Sequence, residues 1–308
     1  MLFGFSRHIL DFCVDRTISA GYVRSMWDIG INTWVWASPL TNRDLAALAP
    51  KIRDWGFDVV ELPVESPGDW DPHQASDLLA EIGLKASLCL VMPPGRDLLD
   101  ADQASETQVY LRHVVDVAAI VGSPVAAGPA YSSVGRRWWI EDRAQVYAQL
   151  RVGLAPVVEY AASKAVRIAV EPLNRYETSL LNTVEQALEA LEGLPEQGWG
   201  LALDTYHMNI EQSSCAAAVS AAGARIAHVQ VAGNDRGAPG RDGQDWAAFL
   251  RALARSGYRG PLCVESFTPE VPALATAACS WRPVAVSQDA LAVDSLEFLR
   301  TEIARLGG

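Results

Sequence analysis

The sequence predicts an α/β protein, a single (β/α)₈ TIM barrel, from three observations. From Met26 onward, short β-like segments alternate with longer amphipathic segments, which is typical of a parallel sheet with crossover helices. Eight such pairs occur, and eight is the number of strands that closes a barrel. The chain has 308 residues, half of them hydrophobic, which is enough to fill one barrel interior and the layer between sheet and helices.

The predicted strands are short apolar segments bounded by turn-forming residues. They span Ile29–Trp36, Phe57–Leu62, Leu84–Leu90, Val125–Ala127, Val166–Glu171, Gly200–Asp204, Ile226–Val231 and Leu262–Ser266. Helices are expected near residues 42–55, 73–82, 105–121, 141–163, 183–192, 212–222, 244–256 and 289–305. A doubly wound open sheet is the alternative, and it is disfavoured because no Gly-x-Gly-x-x-Gly phosphate loop follows the first strand.

Residues 1–25 precede the first strand and form an N-terminal extension of unknown role, while residues 26–308 are predicted to be one catalytic barrel domain. The extension does not resemble a signal peptide. Asp11, Asp15 and Arg16 interrupt its apolar stretch, and no small-residue cleavage site follows. Met26 is the alternative start of the functional protein.

Composition disfavours several classes of partner. The formal net charge of −12 argues against a nucleic-acid surface and weakens the case for a phosphorylated substrate. No apolar run reaches the roughly 18 residues of a membrane span. The five cysteines show no paired spacing, and Cys89 and Cys263 lie in apolar strand-like runs, where a reduced buried thiol is expected. We therefore predict a cytoplasmic protein that binds neither nucleic acid nor membrane.

Polar residues close four consecutive predicted strands. Glu171 ends the fifth, Asp204 the sixth and Glu265 lies at the end of the eighth, while Gln230 lies near the end of the seventh. Active sites of such barrels are built at these strand ends. Burial and mutual repulsion disfavour three carboxylates, and a divalent cation relieves both effects. The oxygen ligands favour Mn²⁺ or Mg²⁺ over structural zinc, although each residue alone could instead cap a loop or helix.

His228 lies two residues before Gln230 and therefore points to the same side of the predicted strand. It could bind the metal, support a metal ligand from behind, or be a satisfied core histidine. We expect it to support a ligand from behind.

Three motifs then indicate a family. Residues Glu171–Thr178 read EPLNRYET, Asp204–Asn209 read DTYHMN and Arg236–Gly240 read RGAPG. In this order they resemble the motifs of D-tagatose 3-epimerase-like ketose epimerases, in the xylose isomerase-like (AP endonuclease family 2) TIM-barrel superfamily. The similarity extends from Met26 to the end of the chain.

The resemblance implies a metal-dependent ketose 3-epimerase that acts through a cis-enediolate on an unphosphorylated, small keto-sugar. It implies Glu171, Asp204 and Glu265 as metal ligands beside Gln230, with Glu171 and Glu265 also forming the acid/base pair. The implied ion is Mn²⁺, with Mg²⁺ or Co²⁺ as alternatives. The superfamily commonly forms dimers or tetramers, so a homo-oligomer is expected.

The same resemblance matches Glu177, His207 and Arg236 to positions that hold the substrate's oxygens. Trp34, Trp36 and Tyr131 are candidates for the wall of the sugar site, although packing in the barrel core or in a loop explains them equally well.

One departure leaves the reaction open. Ketose 3-epimerases usually place a histidine ligand where this chain has Gln230, and glutamine there resembles the hydroxypyruvate isomerase and dehydroshikimate dehydratase branches. An amide oxygen is a competent hard ligand, so the metal site is still expected. The alternatives are a lyase on a 3-keto sugar (a dehydratase or C-glycoside deglycosidase subunit) and a hydroxypyruvate isomerase-like aldose–ketose isomerase. A non-catalytic sugar-binding barrel is disfavoured by the two glutamates.

Overall fold

The computed structural model describes residues 26–306, in which eight parallel strands form a closed barrel in chain order. The strands are β1 (Ile29–Asn32), β2 (Val59–Val64), β3 (Lys85–Leu90), β4 (Val125–Gly128), β5 (Arg167–Val170), β6 (Trp199–Asp204), β7 (Ile226–Val231) and β8 (Leu262–Val264). β8 pairs with β1 and closes the sheet. The predicted (β/α)₈ architecture is confirmed, and the predicted extension 1–25 lies outside the described residues.

A helix follows each strand, and residues 26–306 contain ten α-helices, two more than predicted. They are α1 (Asn42–Trp55), α2 (Pro72–Ile82), α3 (Ala104–Val121), α4 (Arg143–Ser163), α5 (Val184–Leu191), α6 (Thr205–Glu211), α7 (Cys215–Ala222), α8 (Trp246–Ser256), α9 (Pro272–Ala277) and α10 (Gln288–Leu306). The additional helices, α6 and α9, both lie at the carboxyl ends of strands. In this part of the chain no helix combines the length and apolar character needed to cross a membrane.

The first strand is shorter than predicted. Instead of continuing to Trp36, β1 ends at Asn32, whose side chain accepts a hydrogen bond of 2.8 Å from the Trp34 backbone N–H. This bond starts a short 3₁₀ helix over Thr33–Val35, because an asparagine side chain that caps its own backbone competes with the strand ladder. The Trp34 side chain is thereby brought to the rim of the barrel.

The interior of the barrel is layered. Side chains two residues apart on a strand share a face, so Ala169 and Glu171 point inward one above the other at the end of β5, as do Ala202 and Asp204 on β6. Ala169 and Ala202 belong to a cluster of small buried apolar residues. The carboxylates lie above that cluster, at the carboxyl end. Small residues therefore fill the lower barrel and polar residues its upper rim.

Gly128, at the end of β4, has a backbone conformation and surroundings that admit no side chain. Its φ is +142°, and a Cβ atom there would lie 2.5 Å from the backbone oxygen of Leu90. Because the clash is with backbone, Gly128→Ala should lower the free energy of unfolding by about 2 kcal/mol or more, measured by denaturant titration.

Gly243→Ala is the matched control, since Gly243 is exposed and a Cβ there would meet nothing within 4 Å. Its unfolding free energy should change by less than about 0.5 kcal/mol. Equal stabilities of the two variants would contradict the close approach of β3 and β4.

Candidate active site and metal centre

The four residues predicted at the strand ends converge at the carboxyl end of the barrel. Glu171, Asp204, Gln230 and Glu265 are all buried, with no more than 6% of any of them exposed. Glu171, Gln230 and Glu265 line one cavity of about 330 Å³. Asp204 joins them through Arg236, whose guanidinium contacts both Asp204 Oδ2 and Glu265 Oε2, the latter at 2.9 Å.

Arg236 supplies positive charge to this cluster. It lies in the tight turn after β7, with a left-handed φ of +64°. Its guanidinium carbon lies 4.1 Å from the centroid of the Tyr206 ring and 5.1 Å from that of Phe267. The side chain is buried, so its interaction with the carboxylates is little screened by solvent. Arg236 therefore balances part of the negative charge that the strand ends bring together.

His207 and Glu177, the other two residues predicted to hold substrate, lie beside the same cluster. His207 Nε2 is 3.6 Å from both Glu171 Oε1 and Asp204 Oδ2. His207 Nδ1 accepts a 3.0 Å hydrogen bond from the Asn174 backbone N–H, and His207 Nε2 lies 3.0 Å from Arg236 Nη2. The Asn174 side-chain amide donates to Glu177 Oε1 at 2.8 Å. Asn174 thus orients both groups, and His207 and Glu177 both line the cavity.

Burial controls the protonation of these groups. Desolvation raises the pKa of Glu171 well above its ordinary value, and repulsion from Glu265 and Asp204 raises it further. The pKa of Glu265 is likewise raised well above its ordinary value by burial, although Arg236 opposes the shift. Burial and the nearby Arg236 guanidinium hold the pKa of His207 well below its ordinary value. The site therefore contains a neutral imidazole beside two carboxyl groups that bind protons readily.

The donor set fits a divalent cation. Glu171 Oε1 and Gln230 Oε1 are buried, and within residues 26–306 neither has a hydrogen-bond partner. Potential ligand atoms of Glu171, Asp204 and His207 also lie within 4.8 Å of one another. Partnerless buried oxygens are unfavourable unless a cation or ordered water satisfies them. The described residues therefore include groups that could hold a metal ion at this rim.

Glu61 is a central residue that the sequence analysis missed. It lies on β2 inside the barrel, fully buried, and its Oε1 is 2.5 Å from His228 Nε2. Its Oε2 accepts hydrogen bonds from the amides of Asn32 at 2.8 Å and Gln230 at 2.9 Å. Burial alone would raise the pKa of Glu61, but His228 and these bonds outweigh it and lower the pKa. A single acid within the apolar run Val59–Val64 is the signal that could have revealed it.

His228 thus lies behind the rim and against Glu61. Glu61, His228 and Cys263 form a second group whose potential ligand atoms lie within 4.8 Å of one another. The 2.5 Å separation of His228 Nε2 and Glu61 Oε1 leaves no room for an ion between these two atoms. The geometry is that of a buried acid–histidine contact that supports Gln230.

The outer wall of the cavity is largely apolar. Trp34 lies 5.7 Å from Phe267, measured between ring centroids, and its indole N–H donates to Glu65 Oε1 at 2.8 Å. Leu274 and its neighbours on α9 complete this wall. Tyr131 is fully buried, and the Trp36 indole N–H donates to Asp289 Oδ1 at 2.9 Å. Neither side chain lines the cavity, so of the three candidate wall aromatics only Trp34 does so.

A larger cavity, of about 600 Å³, opens at the opposite end of the barrel. The first residues of several strands line it, among them Lys85, Val125 and Arg167. None of its lining side chains belongs to the buried polar groups that lack a partner in the described part of the chain. The chemistry is therefore concentrated at the carboxyl end.

Comparison with known proteins identifies the family of the chain. The chain matches the family model of the xylose isomerase-like TIM barrel over residues 49–302. The chain belongs to the xylose isomerase-like TIM-barrel family. This barrel is 32% identical over 282 residues to the ketose 3-epimerase of Arthrobacter globiformis, covering 90% of this chain and 97% of that protein. It is 34% identical over 249 residues to the L-ribulose 3-epimerase of a Methylomonas species, covering 80% and 87%.

Solved structures of the family share the whole fold. An L-ribulose 3-epimerase structure matches with a TM-score of 0.84 and 30% identity, covering 91% of this chain and 95% of that one. The D-allulose 3-epimerase from Methylomonas, in complex with D-allulose, matches with a TM-score of 0.83 and 31% identity, covering 90% and 98%. The resemblance that the sequence motifs indicate is thereby confirmed.

Removing Arg236 tests the charge balance of this xylose isomerase-like barrel. Arg236→Ala leaves buried carboxylates without their paired cation, which destabilises a protein by about 3–5 kcal/mol. We expect a loss of about that size in the unfolding free energy, measured by denaturant titration in the presence of a chelator.

The matched control is Arg282→Ala. Arg282 pairs with Asp235 at 3.1 Å, but both side chains are largely exposed, so its loss should change the unfolding free energy by less than about 1 kcal/mol. Similar losses in the two variants would contradict the role given to Arg236.

Proposed function

We propose that the protein is a divalent-metal-dependent ketose 3-epimerase acting on a small, unphosphorylated keto-sugar. One observation carries the proposal: Glu171 and Glu265 enter the same cavity from β5 and β8, which lie three strands apart around the barrel. Two carboxyl groups that reach a cavity from different sides can serve opposite faces of one carbon. The names of relatives such as the Arthrobacter ketose 3-epimerase support the same reaction.

The proposed chemistry is a two-base proton transfer at C3. One glutamate removes the proton from one face, and the other returns a proton to the opposite face, which inverts the centre. His207, Glu177 and Arg236 would hold the sugar's oxygens and keep C3 between the two carboxyl groups.

Glu171, Asp204, Gln230 and Glu265 would hold the metal, for which we propose Mn²⁺, with Mg²⁺ or Co²⁺ as alternatives. When bound, the ion would supply Lewis-acid stabilisation for the negative charge that develops on the sugar's oxygens. The partnerless oxygens of Glu171 and Gln230 support this assignment.

The charges of the cavity favour a neutral sugar. Among the described residues that line it, Arg236 is the only lysine or arginine, and it already contacts two carboxylates. The opposite wall presents Glu65 together with apolar side chains such as Trp34 and Leu274. A phosphate would meet no free cation in this lining, whereas hydroxyl groups and carbon faces of a free ketose match it. The cytoplasmic location and the homo-oligomeric assembly stay predictions.

The second candidate is a hydroxypyruvate isomerase-like aldose–ketose isomerase, and Gln230 is the residue that favours it. Such an enzyme needs proton transfer at one face only. The next experiment separates the two.

Glu171→Gln and Glu265→Gln should each abolish net epimerisation, lowering turnover by about 100-fold or more because a general acid/base is lost. In each variant the remaining carboxyl group still exchanges the proton that faces it. NMR in D₂O with Mn²⁺ should show each variant incorporating deuterium at C3 of a different member of the D-fructose and D-allulose pair.

Glu192→Gln, a change at an exposed glutamate, is the control and should retain full turnover. If either active-site variant retains full epimerisation, the two-base mechanism fails. A single-base isomerase or a lyase then becomes the better function.

Substitution of Asp204 should weaken metal binding, whereas substitution of Glu177 should weaken only sugar binding. Asp204→Asn removes a charged ligand, so titration calorimetry should show Mn²⁺ affinity weakened about tenfold or more. Glu177→Gln should leave Mn²⁺ affinity unchanged and raise the KM for the ketose about tenfold, because one charge-assisted hydrogen bond is lost. Weakened metal binding in Glu177→Gln, or unchanged binding in Asp204→Asn, would contradict the assigned roles.

A further inference from the structure

The side-chain amide of Gln230 has both of its hydrogens occupied by carboxylates. Its Nε2 donates to Glu265 Oε1 at 2.6 Å and to Glu61 Oε2 at 2.9 Å. An amide nitrogen carries two hydrogens, so these bonds use its full donor capacity. The other end of the amide, Oε1, is buried and without a hydrogen-bond partner in residues 26–306. The amide is therefore held in one orientation.

We propose that Glu61 is a positioning residue: it holds the Gln230 amide so that Oε1, rather than Nε2, faces the rim as a ligand for the metal ion. This inference rests on the proposed function, because it takes Gln230 as a ligand. The inference adds Glu61 to the four proposed metal ligands as a supporting residue. Glu61 lies on β2, and no residue of that strand lines the cavity. Glu61 acts through Gln230 and does not touch the substrate.

The need for such a residue follows from the symmetry of the glutamine side chain. Oxygen and nitrogen of an amide occupy nearly the same space, so packing alone does not select between the two orientations. The two orientations differ for a cation, because the amide oxygen can bind it and the NH₂ group cannot. An ionised carboxylate accepts hydrogen bonds and cannot donate them, so a rotated amide would place its oxygen against the acceptor oxygens of Glu61 and Glu265.

Glu265 by itself is a poor anchor for this orientation. Its other oxygen contacts Arg236 at 2.9 Å, and it is itself proposed to bind the metal and transfer a proton. Glu61, by contrast, is not proposed to bind the metal or to transfer a proton.

Glu61 is itself held from both sides. Its Cα lies level with those of Asn32 on β1 and Ser87 on β3, because these residues share a register. The Asn32 amide donates to Glu61 Oε2 at 2.8 Å, and His228 lies against Oε1. Oε2 therefore keeps its place beneath Gln230. The contact from β2 to β7 crosses the barrel interior and joins strands that are not neighbours in the sheet.

The experiment is a double-variant cycle of Mn²⁺ affinity, measured by titration calorimetry on the full chain after chelator treatment. Glu61→Asp is the principal variant, because it keeps the negative charge while withdrawing the oxygen from Gln230 Nε2. We expect the affinity to weaken by about tenfold to a hundredfold, the usual effect of losing a partner that orients a metal ligand. In a Gln230→Ala background, Glu61→Asp should cause no further weakening.

Ser87→Ala is the matched control. The Ser87 hydroxyl donates only a long hydrogen bond, of 3.5 Å, to Glu61 Oε1, the oxygen that does not hold Gln230, so its removal should leave Mn²⁺ affinity unchanged. Thermal unfolding of each metal-free variant reports whether the fold is intact. If Glu61→Asp does not fold, the isosteric Glu61→Gln replaces it. Its loss of affinity should then be larger with Gln230 present than in the Gln230→Ala background.

Two outcomes overturn the inference alone: equal affinity in Glu61→Asp and the unaltered protein, or the same weakening with and without the Gln230 side chain. An unaltered protein that binds no Mn²⁺ overturns both the inference and the metal-dependent function. A Gln230-dependent loss of Mn²⁺ affinity in a protein that epimerises no ketose supports the inference and overturns only the proposed reaction.

Discussion

Burial of like charges is the constraint on which the rest of the structure depends. A closed parallel barrel brings the carboxyl ends of all its strands to one rim, and here Glu171, Asp204 and Glu265 occupy three of those ends. Negative charges placed together away from water are unfavourable unless cations accompany them. The buried Arg236 and the partnerless oxygens of the rim are both consequences of this arrangement.

Inside the barrel, the apolar residues that stabilise the fold lie below the polar residues of the candidate site. Small residues such as Ala169 and Ala202 fill the lower interior without polar atoms, so nothing there requires a partner. Above them, Glu61 Oε1 lies 2.5 Å from His228 Nε2, and Glu61 Oε2 accepts a hydrogen bond from the Gln230 amide. Polar groups are thus added one layer at a time, and each layer orients the next. Such support is what keeps ligands within a few tenths of an ångström of a productive geometry.

The sequence predicted the fold and the rim residues because both depend on local patterns. Glu171 and Asp204 close apolar segments of recognisable length, and strand order alone brings such ends together. Glu61 was missed for the opposite reason. It lies within a strand, and its importance comes from contacts with Gln230 and His228, which lie far away along the chain.

Local competition explains the errors in element boundaries. β1 was predicted too long because Trp34–Trp36 has strand-like composition, whereas the side chain of Asn32 redirects the backbone. Helix α6 was missed because Asp204, predicted as a strand end, also caps the next helix through a 2.9 Å bond to the Tyr206 N–H. One residue ends a strand, begins a helix and joins the acidic rim, and periodicity cannot show such overlapping roles.

Because of helix α9, the two sides of the cavity come from different parts of the sequence, one from the strand ends and the other from the segment after β8. The proposed reacting groups lie at the ends of strands that the whole barrel holds in register, whereas Leu274 and the small residues around it come from a connection between β8 and α10. Mutations in that connection can reshape the far wall while the rim keeps its geometry. Over evolutionary time, substrate specificity can therefore change while the residues at the strand ends stay the same. Related barrels can thus come to accept different sugars and still carry out the same reaction.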